Sequence, residues 1–256
     1  MGSFCFTVDD NIRCLKEITE NNLPSVFDHP YLAMYKRLHK EFDLKVQLNL
    51  FYRMKDFDLS QVTDAHRDEW EANADWLKLS FHSELENPYP YKTSGYDEVY
   101  GDCKDVHDNI LRFASAASLA KTTTVHCCLA TEEGLQALTD HKVEGLLGLF
   151  GDDANPRTSY GIGEEDAEKI RHGAFVKKKE IHYGAIDIVL NSFSIESILS
   201  KLAQLNGRET IKVMIHEQFF YPDYRSYQPI FEDKLRATFG FLTDNGYKST
   251  FFENLI

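Results

Sequence analysis

Short apolar segments with the composition of β-strands alternate with amphipathic helical segments along almost the whole chain. Strands separated by helices run parallel, and they form either a closed barrel or an open doubly wound sheet. The 256 residues suit a single barrel, and no glycine-rich phosphate loop follows the first strand to favour the open sheet. We therefore predict an α/β fold, a distorted (β/α) barrel with seven or eight mainly parallel strands. The predicted strands are residues 4–8, 45–51, 77–81, 123–129, 145–149, 186–190, 212–215 and 249–252.

Two segments interrupt this alternation. Residues 87–104 are rich in tyrosine, and residues 152–184 have the pattern of an inserted loop or a small hairpin. We treat residues 1–256 as one barrel domain that carries these two insertions.

The charge balance limits the kinds of partner. The chain has 41 acidic and 28 basic residues and a net charge of −13, which argues against nucleic acid and anionic membrane surfaces. Its five cysteines show neither a metal-binding spacing nor an even disulfide set, so we expect reduced thiols. No apolar run is long enough for a transmembrane helix. We expect a soluble, cytoplasmic protein.

The predicted strands separate into an apolar face and a polar face. In a barrel one face meets the helices and the other meets the lumen, so the polar sets should converge inside. Buried polar groups are costly without partners, which favours a lumen built around chemistry or a ligand. We expect Asn49, His126 and Asp187, which lie on the polar faces, to contact the substrate.

Two adjacent carboxylates, Asp9 and Asp10, follow the apolar first strand. Like charges this close repel each other and are costly to desolvate. They can be solvated turn residues or mark a helix start. Alternatively, one binds a cation and the other moves protons.

A second candidate lies at the end of the third predicted strand. If the chain turns helically there, His82 and Glu86 share a face at i, i+4 and can hold the same metal ion. The carboxyl ends of barrel strands are where active sites form.

Three segments together resemble the motifs of the polysaccharide deacetylase family, which includes chitin, peptidoglycan and nodulation-factor deacetylases. Residues 6–10 (FTVDD) resemble its Thr-Phe-Asp-Asp motif. Residues 81–86 (FHSELE) resemble its His-Ser/Thr-x-x-His motif, and residues 214–216 (MIH) resemble its Leu-x-His motif. Order, spacing and strand-end placement agree, and the resemblance spans nearly the whole chain.

This resemblance implies a role for each matching residue. Asp9 would be the general base and His216 the general acid, while Asp10 and His82 would be metal ligands. Glu86 stands where the family has its second metal-binding histidine, so Glu86 is the expected third ligand, with His126 or His29 as alternatives. The ion would be one divalent metal, zinc first, with nickel, cobalt, manganese or iron also compatible.

The implied activity is that of a metal-dependent hydrolase. It would remove an acyl group, in the first place acetyl, from an N-acylated sugar or a related amide, with a small molecule or oligosaccharide as substrate. Tyr89, Tyr91, Tyr96 and Tyr100 would stack on sugar rings, or else pack in the fold. The alternatives are a catalytically silent barrel that binds glycans or a partner, and a deacylase of a non-carbohydrate substrate.

Overall fold

The computed structural model of the chain describes residues 2–86 and 90–256, so Tyr89 and residues 87–88 lie outside the described part. Its strands are β1 (Ser3–Asn11), β2 (Val46–Phe51), β3 (Arg53–Met54), β4 (Phe57–Asp58), β5 (Leu77–Ser83), β6 (Thr122–Thr123), β7 (Gly145–Gly148), β8 (Val176–Lys178), β9 (Ile181–Ala185), β10 (Ile188–Val189), β11 (Thr210–His216) and β12 (Lys248–Ser249). Its α-helices are α1 (Arg13–Glu20), α2 (Pro30–Phe42), α3 (Arg67–Ala72), α4 (Tyr96–Phe113), α5 (Glu132–Asp140), α6 (Glu164–Arg171), α7 (Ile195–Leu205) and α8 (Phe231–Asp244).

Parallel pairing dominates the sheets. One sheet has the order β10, β11, β1, β2, β5, with β12 beside β1, and every pairing in it is parallel. The second has the order β6, β7, β9, β8, in which the β8–β9 pair is antiparallel. Parallel neighbours need crossover connections, and helices supply many of them, as the alternation in the sequence predicted.

Backbone hydrogen bonds join the two sheets at one seam beside β5. The Leu79 N–H donates to the Ser118 carbonyl, and the Ala120 N–H donates to the Leu79 carbonyl, each at 2.8 Å. These bonds form a parallel bridge between β5 and the residues that lead into β6.

A second seam lies between β9 and β10. The Ile186 N–H donates to the Gly148 carbonyl of β7, and the Asp187 N–H donates to the Lys212 carbonyl of β11, each at 2.8 Å. Residues 181–189 therefore act as one interrupted strand that pairs first with β7 and then with β11. The result is a distorted barrel of seven strand positions, which confirms the predicted fold class.

The strand predicted at residues 249–252 is limited to β12 (Lys248–Ser249), and the predicted insertion at residues 87–104 contains the start of α4. Two further predicted segments differ from the structure. The strand expected at residues 123–129 ends at Thr123, and a 3-10 turn follows at His126–Cys128. Within that turn Cys127 has a positive φ of 59°, so the chain changes direction there instead of continuing as a strand. The insertion at residues 152–184 contains α6 and the β8–β9 hairpin, so its second half supplies a barrel strand.

A hydrogen-bonded polar network fills part of the lumen, as the strand faces predicted. Gln47, Asn49, Ser80 and Thr122 are all buried. Gln47 Nε2 donates to Asn49 Oδ1 and to the Thr122 carbonyl, both at 2.8 Å, and Ser80 Oγ donates to Asn49 Oδ1 at 2.5 Å. These bonds offset the cost of burying amides and hydroxyls.

The carboxylate of Glu217 joins the ends of β1 and β11. Glu217 is 1% exposed, and it accepts hydrogen bonds from the N–H groups of Ile12, Arg13 and Cys14 at 2.8, 3.0 and 2.8 Å. These are the unpaired donors at the start of α1, where a negative group is favourable. Burial raises the pKa of Glu217, and the three donors limit the rise.

In the described part of the chain, no helix has both the length and the apolar character needed to cross a bilayer.

The Glu217 contact generates a stability prediction. Glu217→Gln keeps the shape but removes the charge and one acceptor oxygen, so we expect a loss of about 2 kcal/mol in the free energy of unfolding. Glu20→Gln is the control. Glu20 is the last residue of α1 and its side chain is 54% exposed, so this change should alter stability by less than about 0.5 kcal/mol. Urea unfolding measures both; equal midpoints would contradict the assigned role.

Candidate active site

Asp9 and Asp10 lie at the carboxyl end of β1, in the barrel mouth. Adjacent side chains in a regular strand point to opposite faces. Here Asp10 has a positive φ of 64°, and the β1–β2 register shifts between Val8 and Asn11. This local distortion lets Asp9 contact Asn49 while Asp10 contacts His82. Both carboxylates therefore lie in the barrel mouth, although they are adjacent in the chain.

Asp10, His82 and His126 form a tight cluster. Asp10 Oδ1 lies 3.0 Å from His82 Nε2 and 3.5 Å from His126 Nδ1, and the two ring nitrogens are 3.2 Å apart. Burial would raise the pKa of Asp10, but the hydrogen bonds to His126 and His82 hold it well below its usual range. Burial disfavours charge on His126, yet the hydrogen bond to Asp10 outweighs it and raises that pKa to about 10. The cluster therefore has a strong preference for positive charge at its centre.

The other nitrogen of each ring is held by a backbone carbonyl. His82 Nδ1 donates to the Thr124 carbonyl, and His126 Nε2 donates to the Glu86 carbonyl at 3.1 Å. Because a carbonyl can only accept, the outer nitrogen of each ring carries an N–H. A metal ion that displaces a proton from the inner nitrogen would therefore meet a lone pair on the side that faces Asp10. Carbonyl partners that orient ligand histidines in this way are typical of metal sites.

The spacing of the three inner atoms fits a small divalent ion. Bonds of about 2.0 to 2.1 Å at the tetrahedral angle place neighbouring ligand atoms about 3.3 Å apart. The observed separations of 3.0, 3.2 and 3.5 Å match that value. Asp10, His82 and His126 can hold a metal ion, and they constitute one of two such groups in the described residues.

Glu86 differs from its predicted place. The strand continues to Ser83, and residues 84–86 form no helical turn, so His82 and Glu86 do not share a helix face. The Glu86 side chain is exposed and is not part of the ligand group. Glu86 acts on the cluster through its backbone carbonyl, which holds His126.

His29, the other alternative ligand, is engaged elsewhere. It is 3% exposed, and its Nε2 lies 2.9 Å from Glu17 Oε2. Its Nδ1 accepts from the Tyr31 N–H at the start of α2 at 3.3 Å. Both ring nitrogens therefore serve the α1–α2 region.

Asp9 is held beside the cluster by Asn49. Asp9 is 2% exposed, and Asn49 Nδ2 donates to its Oδ1 at 2.6 Å. Burial raises the pKa of Asp9, while His82 and His216 act in the opposite direction. Asn49, predicted as a substrate contact, is fully buried in the lumen network and orients this carboxylate instead.

His216 faces the same mouth from the neighbouring strand. Asp9 and His216 are direct partners in the parallel β1–β11 register. His216 Nδ1 donates to Asn191 Oδ1 at 2.8 Å, because an amide oxygen can only accept. The Nε2 atom is therefore the one that remains for chemistry.

The structure does not bring Asp187 to this mouth. Its carboxylate accepts from the Lys212 N–H at 2.7 Å and from Arg208 at 2.9 Å, and its Oδ2 lies 3.1 Å from Lys212 Nζ. Lys212 Nζ has no hydrogen bond of good geometry in the described structure, so that contact is a charge pair. Lys212 precedes His216 by four residues on β11, away from its carboxyl end. Asp187 neutralises a fully buried lysine.

A cleft of about 620 Å³ opens beside Asp10. Its apolar wall includes Phe51, whose ring centroid lies 5.2 Å from that of His82 and 5.3 Å from that of His126. Such contacts restrict ring rotation in both histidines. The cleft is lined by Asp10, Ile12, Arg13, Phe51, Arg53, Met54, Lys55, Leu85, Glu86, Glu217, Gln218, Tyr221, Asp223 and Tyr224.

Sequence reasoning missed two polar partners in the mouth. Gln218 Nε2 donates to Asp10 Oδ2 at 2.6 Å, and Asn191 fixes His216. Gln218 lies two residues after the His216 motif, so the loop following that motif was the available signal. Asn191 directly follows the predicted strand at residues 186–190 and has the same parity as Asp187, so the alternation of that strand was the available signal.

The tyrosines of the first insertion have packing roles where they are described. Tyr91 is 1% exposed and donates to Asp102 at 2.8 Å. The rings of Tyr96 and Tyr100 stack on α4 with centroids 5.4 Å apart. These three residues do not line the cleft, whereas Tyr221 and Tyr224 do.

Comparison with known proteins supports the fold through structure and not through sequence. No protein-family model matches the chain, and no curated protein sequence matches it. The structure is similar to a family 4 acetyl xylan esterase from Clostridium thermocellum, solved with a cobalt ion, at a TM-score of 0.55 and 11% identity. That match covers 98% of this chain and 89% of the esterase.

Two further solved structures share the architecture. A peptidoglycan N-acetylglucosamine deacetylase has a TM-score of 0.56 and 12% identity, over 99% of this chain and 87% of that one. A 4-alpha-glucanotransferase from Thermococcus litoralis has a TM-score of 0.63 and 14% identity, and this chain spans 40% of its length. The chain therefore has the fold of solved polysaccharide deacetylases and esterases, as its motifs predicted.

The Asp187 contacts generate a second prediction. Asp187→Asn leaves Lys212 buried beside an uncharged group, so we expect a loss of about 3 kcal/mol in the free energy of unfolding. Asp43→Asn is the control, since Asp43 lies 3.7 Å from Lys45 with its side chain 85% exposed, and it should cost less than about 1 kcal/mol. Thermal and urea unfolding test this, and a stable Asp187→Asn protein with impaired turnover would restore the substrate role.

Proposed function

We propose that this chain is a metal-dependent hydrolase that removes an acyl group, first of all acetyl, from an N-acylated sugar or related amide. One observation carries the proposal. Three atoms that can bind a metal ion, from Asp10, His82 and His126, converge within 3.5 Å of one another. The buried Asp9 precedes Asp10 in the chain, and His216 is its partner on the neighbouring strand. A barrel that only bound a ligand would need neither of these two flanking groups.

Asp10, His82 and His126 would hold the metal ion, with His126 taking the third position expected for Glu86. Two imidazoles and one carboxylate at this spacing favour zinc, and the same donors suit cobalt or nickel. When bound, such an ion lowers the pKa of a water molecule toward neutrality and polarises the substrate carbonyl. Gln218 holds the second oxygen of Asp10 at 2.6 Å and so fixes the orientation of that ligand.

Asp9 acts as the general base. It is next to Asp10 in the chain but is bound to Asn49 instead of to the histidine cluster, so an oxygen remains to take a proton from the attacking water. The buried Gln47–Asn49–Ser80 network holds Asn49 rigidly. This positions the base without using its second oxygen.

His216 acts as the general acid. Asn191 binds its Nδ1, so a proton carried on Nε2 can pass to the leaving amine as the carbon–nitrogen bond breaks. The β1–β11 register places this imidazole directly beside Asp9. Base and acid therefore flank the reacting carbon from neighbouring strands.

The cleft and the structural neighbours support a carbohydrate substrate. Phe51, Met54 and Leu85 form an apolar wall on which an acyl group fits, and Tyr224 supplies a partly exposed aromatic ring nearby. Two solved structures with this fold are an acetyl xylan esterase bound to cobalt and a peptidoglycan N-acetylglucosamine deacetylase. An acetylated oligosaccharide is therefore the first substrate to test.

The third ligand can be tested with a matched pair of variants. His126→Ala should lower zinc affinity by about 100-fold or more, because it removes a ligand. Glu86→Ala should leave affinity unchanged, because the variant keeps the backbone carbonyl that binds His126. Competition with a chromogenic chelator measures both affinities. The reverse result would return the third position to Glu86, as the sequence predicted.

The catalytic assignment can be tested at Asp9. Asp9→Asn keeps an oxygen that can accept from Asn49 but cannot take a proton, so turnover should fall about 100- to 10,000-fold while metal content stays the same. His216→Ala should act likewise, and Asp56→Asn in an exposed turn is the control. Acetate release from N-acetylated oligosaccharides, peptidoglycan fragments and small acyl esters is the measurement. Full turnover by Asp9→Asn, or none by metal-loaded wild type on any substrate, would refute the proposal.

A further inference from the structure

A second group of metal-binding side chains lies outside the barrel mouth, between α4 and α5. Cys103 and His107 are four residues apart on α4, so they occupy one face of that helix. His141 caps the carboxyl end of α5. The two helices are already joined nearby, where the Tyr96 hydroxyl donates to Asp140 Oδ2 at 2.7 Å.

The three side chains approach one another closely. Cys103 Sγ lies 3.7 Å from His107 Nε2 and 4.0 Å from its Nδ1. The rings of His107 and His141 are nearly perpendicular, with centroids 5.6 Å apart. One possible ligand atom from each residue lies within 4.8 Å of the other two.

His107 lacks a strong hydrogen-bond partner for a buried imidazole. It is 7% exposed, and the only hydrogen bonds that the described structure gives its ring are to the Cys103 sulfur. A thiol is a weak donor and a weak acceptor, and a buried polar group without a good partner is costly. The ring is therefore either a packing element or a ligand.

His141 is oriented as a ligand would be. Its Nε2 donates to the Tyr100 carbonyl at 2.9 Å, which leaves Nδ1 with a lone pair. The same arrangement, a backbone carbonyl on the outer nitrogen, holds His82 and His126 in the barrel mouth. It is the usual support for a histidine that binds a metal.

We propose that Cys103, His107 and His141 form a second metal site, which binds a zinc-class divalent ion and ties α4 to the end of α5. A tetrahedral zinc ion places sulfur and nitrogen ligands about 3.6 Å apart, close to the observed 3.7 Å between Cys103 and His107. His141 closes the site by a small ring movement, which its partly exposed position at a helix end permits.

The protonation of the ligands is consistent with this site. Burial lowers the pKa of His107 to about 4, so the ring is neutral at physiological pH. Burial raises the pKa of the Cys103 thiol well above its ordinary value, so the sulfur stays protonated until an ion binds. Formation of the sulfur–metal bond displaces that proton to solvent. Each ion that binds therefore releases one proton from this site.

Cobalt(II) distinguishes this site from the one in the barrel mouth. Only a site with a thiolate ligand gives a sulfur-to-cobalt charge-transfer band in the near ultraviolet, and Asp10, His82 and His126 supply no sulfur. We expect this band when cobalt is added to the full chain, purified with a reductant that does not bind metals. The band does not depend on catalytic activity. Its absence would contradict the second metal site and leave the proposed function untouched, and an inactive enzyme would do the reverse.

Three variants make the cobalt experiment decisive. Cys103→Ser should abolish the band. His141→Gln, at a partly exposed position that the fold tolerates, should weaken cobalt binding about tenfold or more. Cys127→Ser is the matched control, because Cys127 is an exposed thiol next to His126, and it should leave the band unchanged.

The possible results separate a ligand role from packing. Circular dichroism must show native spectra for the variants. Cobalt should raise the melting temperature of wild type by more than it raises that of Cys103→Ser. No band in wild type at excess cobalt, or a band that survives in Cys103→Ser, would overturn the proposal. Loss of the band in Cys127→Ser alone would place the thiolate at the mouth and would also overturn it.

Discussion

The buried carboxylate of Glu217 is the contact on which the geometry of the mouth depends. It satisfies three backbone donors where α1 begins, directly after the Asp9–Asp10 pair, and it belongs to the residue that follows His216. Because Glu217 is buried, water could not replace its carboxylate as the hydrogen-bond acceptor of these three N–H groups. One side chain thus holds the ends of β1 and β11 together and keeps Asp9, Asp10 and His216 in register.

The mouth combines two kinds of polar environment. On the lumen side Gln47, Asn49 and Ser80 are joined by hydrogen bonds, and Asn49 links that network to the Asp9 carboxylate. On the cleft side, the possible metal-ligand atoms of Asp10, His82 and His126 converge on one point. The first arrangement stabilises a rigid scaffold, whereas the second gains most from a positive ion. A pre-organised catalytic site needs charged groups that a rigid scaffold holds in fixed positions, and this combination meets that need.

Much of the site could be predicted from the sequence because it lies at strand ends. Asp9, Asp10, His82 and His216 each follow or end an apolar strand, and parallel strands bring such ends to one edge. Glu86 and Asp187 could not be placed in the same way. The expected role of Glu86 depended on a helical turn that the chain does not make after Ser83. The expected role of Asp187 depended on its lying at the carboxyl ends of the strands, whereas it contacts Lys212, away from the carboxyl end of β11.

By itself, then, the sequence determined the alternation of strands and helices, the polar lining of the barrel and the two carboxylates at its mouth, because strand period and side-chain polarity are local properties. The tertiary structure alone decided that His126 joins Asp10 and His82, that Asn49 orients Asp9, and that Lys212 needs Asp187. Those pairings join residues about 40 or more positions apart in most cases. They depend on how the barrel closes and on a left-handed turn at Cys127 that ends a predicted strand, and no local pattern encodes either.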